Sequence, residues 1–247
     1  MSWSKYLLEE IDFQNILVLD TATGGGGTTL QLAKKVSEAG GSGRIISIDL
    51  NSETFPWTKK KLGDYAGYVE FVKADLTRIP QIKDNSFDLV VCTATMCALN
   101  DRPLKALQGL SGFHRILKQD GRLVIADEYP LPKASKPEEE VQVQRWQTYK
   151  AVAELIGEGH YTEIYPEDLE FAARLVGFRD IAWKRFEGGP LSEEAMNEWR
   201  EIMPPMIQKI RDKQTRKAFS SLVGKTYSMF EERHDTFPPI YVMKMRK

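Results

Sequence analysis

ILVLDTATGGGGTT, running from Ile16 to Thr29, is an apolar segment that ends in an acid, Asp20, and then in four consecutive glycines, Gly24 to Gly27. The apolar part is short, rich in Val, Ile and Leu, and lacks strict alternation, as a strand covered on both faces should. Glycines after such a strand let the backbone pass very close to a ligand. The helix expected next points its free N–H groups at the same place. Two common nucleotide signatures fail here. The G-x-G-x-x-G pattern started at Gly24 ends on Thr29, and started two residues earlier it begins on Ala22. The Walker pattern fails too, because no lysine follows the glycines.

Working outward, four more segments read as buried parallel strands: Ile45–Asp49, Val69–Ala74, Phe87–Cys92 and Arg122–Asp127. Helical stretches lie between them. Residues 29–39 put Leu30, Ala33 and Val36 or Ser37 on one face and stop at Gly40-Gly41. Residues 103–118 place Leu104, Leu107, Leu110, Phe113, Ile116 and Leu117 at helical spacing, with Asp101 as N-cap and Pro103 in the first turn. Strands alternating with helices imply a parallel sheet with right-handed crossovers. In the second half, Ser135 and Glu138 have capping-box spacing before a helix running to about Ile156. Val143, Trp146, Tyr149, Ala153 and Ile156 share its face. Residues 166–176 form another helix, 178–186 and 240–245 read as strands, and 187–239 are a mostly helical insertion broken at Pro204-Pro205.

The 247 residues carry 34 Lys and Arg against 35 Asp and Glu, a net charge of −1 that argues against nucleic-acid binding by bulk electrostatics. Two cysteines, Cys92 and Cys97, and three scattered histidines, His114, His160 and His234, make neither a disulfide framework nor a metal constellation. No metal is expected. MSWSKYLLEEIDF does not read as a signal peptide, and no apolar stretch reaches the ~18 residues of a membrane span. A cytoplasmic location with reduced thiols is the expectation.

The pattern D-x-A-x-G-x-G over Asp20–Gly26 resembles motif I of the class I S-adenosylmethionine-dependent methyltransferases. Asp49, 25 residues after Gly24, and Asp75 follow at the ends of the next two strands. DNSFDLVV (84–91) and FHRILKQDGRLVIAD (113–127) continue the similarity, which covers roughly residues 14–130 and is closest to the ubiquinone/menaquinone-biosynthesis-type small-molecule branch. Ala22 stands where many members have glycine, and Gln119-Asp120-Gly121 stands where the family form is Pro-Gly-Gly.

The resemblance implies an α/β fold: a Rossmann-like doubly wound sheet of seven strands, the last antiparallel, in one domain spanning 1–247. Its cofactor core is about 14–130, with helical cap insertions at about 133–160 and 187–237. It implies S-adenosylmethionine as cofactor, with S-adenosylhomocysteine as product. The residues implied to bind it are Asp20, Thr21, Ala22, Gly24, Gly26, Asp49, Leu50, Asp75, Leu76 and Thr93. An acidic strand end suits a ligand with an ammonium and a sulfonium group. A carboxylate at Asp49 suits ribose hydroxyls, and the family uses the acid at the position of Asp75 for the adenine amino group.

The expected reaction is methyl transfer to a small, partly apolar acceptor by a monomer or homodimer; the alternative is a non-catalytic S-adenosylmethionine or nucleoside binder on the same fold. Thr93-Ala94-Thr95-Met96 is not the signature of exocyclic-amine methylases. Candidates for acid–base work are Glu128 and Tyr129, beside Asp127 at the C-terminal edge of the sheet, and His160 and Tyr161. Methionines and aromatics in 187–239 suit an adaptable apolar pocket.

Overall fold

The computed structural model describes residues 2–102, 104–233 and 235–247. Pro103 and His234 lie outside the described residues. A seven-stranded sheet forms the centre. In chain order its strands are β1 Leu17–Thr21, β2 Arg44–Asp49, β3 Val69–Lys73, β4 Phe87–Thr93, β5 Leu117–Glu128, β6 Arg179–Phe186 and β7 Ile240–Arg246. Across the sheet the order is β3-β2-β1-β4-β5-β7-β6. The first five strands pair in parallel, and β7 runs antiparallel to both β5 and β6. This is the architecture expected from the sequence.

The helices are α1 Trp3–Leu7, α2 Gly27–Glu38, α3 Phe55–Leu62, α4 Met96–Leu99, α5 Lys105–Ile116, α6 Glu140–Ile156, α7 Pro166–Val176, α8 Glu193–Gln208 and α9 Lys213–Glu232. One face of the sheet packs on Leu7 of α1, on Leu32, Ala33 and Val36 of α2 and on Leu62 of α3. The other packs on Leu110, Phe113 and Ile116 of α5 and on Leu169 and Ala173 of α7. Both faces of β1 and β4 are therefore dry, which is why their sequences do not alternate. A third cluster is built by α6, α8 and α9 around Val152, Met196, Trp199, Met203 and Ile207. The two insertions thus make one helical layer with a core of its own.

Four local expectations need correction. On α2, Leu32 rather than Leu30 is fully buried. On α5, the helix starts at Lys105 after Leu104 in a left-handed conformation, and Asp101 bonds the Lys105 ammonium at 3.1 Å instead of capping. Before α6, the Ser135 amide and hydroxyl both donate to Glu139, not Glu138, at 2.9 and 2.7 Å. The fully buried line of α6 is Val141, Thr148, Val152 and Ala153, so only Ala153 of the expected face is wholly enclosed.

Finally, α8 is not broken at Pro204-Pro205 but runs through both to Gln208. Met203, Met206 and Ile207 are buried while Pro204, Pro205, Arg200 and Glu201 are exposed. Water can therefore bond the carbonyls that the proline nitrogens leave unpaired, and burial of the opposite face holds the helix together. Pro205→Ala restores one N–H in an exposed position. We expect it to raise unfolding free energy by about 2–3 kcal/mol in urea titrations, after the ~0.4–1 kcal/mol entropic advantage of proline is subtracted.

Candidate cofactor and acceptor site

The glycine turn is shaped by its neighbours. Ala22, Gly24 and Gly26 have φ of 60°, 45° and 71°. Glycine takes such values freely, whereas Ala22 holds one at a cost of about 1 kcal/mol, so the departure at this position is a strained one. The Gly26 amide donates to the Thr23 carbonyl at 2.8 Å, closing the turn. A side chain on Gly26 would meet Thr58 Cγ2 at 2.4 Å, while Gly27 has nothing within 4 Å. Trp57 lies against bare Gly25, and Lys61 Nζ donates to the Gly25 carbonyl at 2.8 Å.

Asp20 lies behind this turn. It is 1% exposed and accepts from Thr29 Oγ1 at 2.6 Å and Ser47 Oγ at 2.8 Å, while its Oδ1 has no partner among the described residues. Burial, with help from the charge of Asp49 and against both hydroxyls, pushes its pKa up to about 6. Thr21 is likewise internal, its hydroxyl donating to the Val91 carbonyl at 3.2 Å.

A cavity of about 640 Å³ follows the C-terminal edge of the sheet. At the β2 and β3 end stand Asp49, Leu50, Asp75 and Leu76; in the middle are the glycine turn and Thr93. Ala22, Gly24 and Gly26 line it as well, whereas Asp20 and Thr21 do not. The structure therefore places eight of the ten expected cofactor residues on the wall and two behind it.

Asp49 Oδ2 accepts from the Gly24 amide at 2.9 Å and Oδ1 from the Asn51 amide at 2.9 Å, which fixes the carboxylate while leaving each oxygen a free lone pair. Asp75 Oδ1 accepts from the Thr77 amide and hydroxyl at 2.9 and 2.8 Å. Burial works to raise Asp75, but those bonds and the charges of Lys105 and Arg78 outweigh it and hold the group below the usual carboxylate range.

The β5–β7 end of the cavity is formed by Glu128, Tyr161, Ile240, Trp3, Ala98 and Leu99. Asp127 is buried at its base, accepting from the Cys97 and Glu128 amides at 3.1 and 2.9 Å. Burial pushes Glu128 up to about 7; Asp127 and Glu163 add to this, and Arg145 and Lys150 oppose it. Tyr161 stacks on Trp146 of α6 at 6.0 Å, and Trp146 stacks on Tyr149 at 5.5 Å.

The other two acid–base candidates are elsewhere. Tyr129 packs against Tyr165 at 5.9 Å under the Arg185 guanidinium, and His160 pairs with Glu154 at 3.2 Å. None of the described residues of 187–237 lines this wall. Trp3, Lys105 and Ile240 were missed from the sequence; each arrives through tertiary packing and has no local signal. Among the described residues no group of three or more His, Cys, Asp or Glu is placed to hold a metal, and no helix is long and apolar enough to cross a membrane.

Residues 19–125 match the methyltransferase domain family. The ubiquinone/menaquinone biosynthesis C-methyltransferase UbiE of Geotalea daltonii is 32% identical over 135 residues, 53% of this chain and 54% of that protein. The chain spans about half the length of the curated relatives it matches most strongly. The YcgJ protein of Bacillus subtilis superposes with a TM-score of 0.64 at 16% identity, covering 99% of this chain and 97% of that one. A phosphoethanolamine N-methyltransferase 2 from Haemonchus contortus, solved with phosphomonomethylethanolamine and S-adenosylhomocysteine, gives 0.59 at 18% identity over 98% of this chain and 51% of that one.

Over residues 19–125 the chain is similar to the methyltransferase domain family, in keeping with the resemblance of its glycine turn to the class I S-adenosylmethionine-dependent enzymes. The cofactor this similarity implies is S-adenosylmethionine. The residues present fit that group. Bare glycines admit it, fixed acceptors on Asp49 and Asp75 suit hydroxyls and an amino group, and Leu50 and Leu76 supply apolar walls.

Two expectations follow from this geometry. The Asp20 pKa is raised from 3.8 to about 6 on folding, so between those values the folded state binds more protons and stability falls as pH rises. Relative to wild type, Asp20→Asn should therefore gain about 2 kcal/mol from pH 4 to 6.5, read as the difference between urea-derived unfolding free energies. Asp49→Ala should weaken S-adenosylhomocysteine binding by about 1–3 kcal/mol in calorimetry, since it deletes both the free lone pairs and the anchor of the Gly24 amide.

Proposed function

We propose that this protein transfers a methyl group from S-adenosylmethionine to a small, partly apolar molecule held at the β5–β7 end of the cavity. The observation that carries this reading is the chemical split of one continuous space. Hydrogen-bonding groups crowd the β2–β3 end, while Trp3, Tyr161, Ile240, Ala98 and Leu99 at the other stand around Glu128 above the buried Asp127. A nucleoside binder needs only the first end.

The sulfonium group supplies an activated methyl when the cofactor is bound. What remains for the chain is alignment and exclusion of water, together worth several kcal/mol of barrier. Asp49 and Asp75 are held by backbone amides, so they orient without reorganising. At the other end Tyr161 is fixed from behind by the Trp146 stack and by its neighbour Thr162, whose amide donates to the Cys97 carbonyl at 2.9 Å. We assign α6, α8 and α9 as a cap, reaching the site through this stack rather than through residues 187–237.

Incubation of the protein with donor labelled in its methyl group and a size-fractionated metabolite extract should move label into the small-molecule fraction. The acceptor so found should partition into an apolar phase better than the average extract component. Binding of S-adenosylmethionine with no label transferred to any fraction would instead establish a non-catalytic binder on the same fold.

A further inference from the structure

Glu128 is the one carboxylate at the acceptor end whose oxygens make no hydrogen bond to a described residue, although it stands on the cavity wall and is half-buried. The lysines near it are taken by other carboxylates, whereas Arg145 keeps a buried Nε without a partner among the described residues and has Glu128 as its main opposite charge. Lys150 on α6 donates to Glu163, which also accepts from Trp146 Nε1. Arg145, also on α6, donates to the Ala195 carbonyl at 3.0 Å. Lys105 on α5, across the cavity, pairs with Asp101 at 3.1 Å. Asp127, next to it on β5, is engaged by backbone amides, and Cys97 on α4 is a buried thiol held protonated by its surroundings. Tyr161 faces the same space, and Asp49 and Asp75 stand at its far end. A carboxylate without a hydrogen-bond partner, set between the opposing charges of Arg145 and Lys150 and the like charges of Asp127 and Glu163, is a group whose charge depends on what occupies the cavity.

We propose that Glu128 receives the proton that the acceptor gives up, and that its charge alternates with the charge on the cofactor's sulfur. The inference rests on reading the cavity as a methyl-transfer site. The acceptor's X–H proton passes to a Glu128 oxygen and a bond forms between X and the methyl carbon. The C–S pair stays on sulfur as a neutral thioether. Carboxylate and sulfonium before transfer become carboxylic acid and thioether after it, so the pair is neutral in both states. Product leaves a protonated Glu128, and the next cation displaces the proton to water. A burial-raised pKa near 7 makes both forms accessible at neutral pH.

This has a consequence that needs no acceptor. S-Adenosylmethionine and S-adenosylhomocysteine share the same amino and carboxylate groups and differ in the methyl and the charge it puts on sulfur; the methyl's packing does not titrate, so the pH dependence of the ratio of their dissociation constants reads the carboxylate facing the sulfur. In calorimetry of the wild-type protein, the preference for S-adenosylmethionine over S-adenosylhomocysteine should grow about tenfold from pH 6 to 8. Glu128→Gln, checked for folding by its melting temperature, should bind both ligands with a ratio independent of pH. Glu163→Gln removes a neighbouring negative charge and leaves Lys150 uncompensated, so it should move the midpoint to lower pH. Asp20→Asn should leave the midpoint where it is, because Asp20 lies behind the turn. A wild-type ratio that does not change with pH, or a change that survives in Glu128→Gln, overturns the proposal. Failure of both ligands to bind at any pH strikes the cofactor reading itself, and absence of label transfer strikes only the methyl-transfer reading.

Discussion

Everything at the edge of the sheet depends on one buried carboxylate without a cation. Asp20 ends β1 opposite Ser47 of β2, and it accepts from both Ser47 and Thr29 of α2. Three elements are thereby tied beneath the turn they share, and Thr23 joins them through a 2.7 Å bond to Ser47. Two hydroxyls are a weak substitute for the water a carboxylate loses on burial, so the ionised form is costly in the folded protein.

The sequence was informative about one part of the site. In a parallel sheet every strand delivers its last residue to the same edge, so Asp49 and Asp75 could be placed from strand ends alone. Side-chain position then followed from topology. Asp20 shows the limit of that logic: its place along the strand was legible, but the depth at which it sits was not. The turn closes over it, and the Thr29 and Ser47 hydroxyls meet it in the interior.

The misread local features share a different cause. Glu138 and Glu139 are adjacent and chemically equal, so spacing cannot choose between them; the structure chose Glu139, whose carboxylate the Ser135 amide and hydroxyl both reach. The line along α6 assumed one neighbour, yet that helix packs against α8 and α9 and also offers Trp146 to Tyr161. At Pro204-Pro205 a rule about backbone donors met a helix whose opposite face buries Met203, Met206 and Ile207. Burial of three large side chains outweighs two missing bonds whose acceptors face solvent.

The two ends of the cavity are thus built on different terms. Acceptors at the cofactor end are clamped by amides within a few residues of the turn, so that end is as rigid as the sheet. The other end gathers Trp3 from the start of the chain, Tyr161 from the middle and Ile240 from near its end, with no contiguous motif among them. Those three side chains sit on segments outside the run from β1 to β5. Substitutions there can reshape the acceptor space while leaving Asp20, Asp49 and the glycine turn untouched. The helical layer behind Tyr161 has its own apolar core, so its packing is not borrowed from the sheet. A fixed donor site beside a separately supported acceptor wall is an arrangement in which the substrate can change without the cofactor.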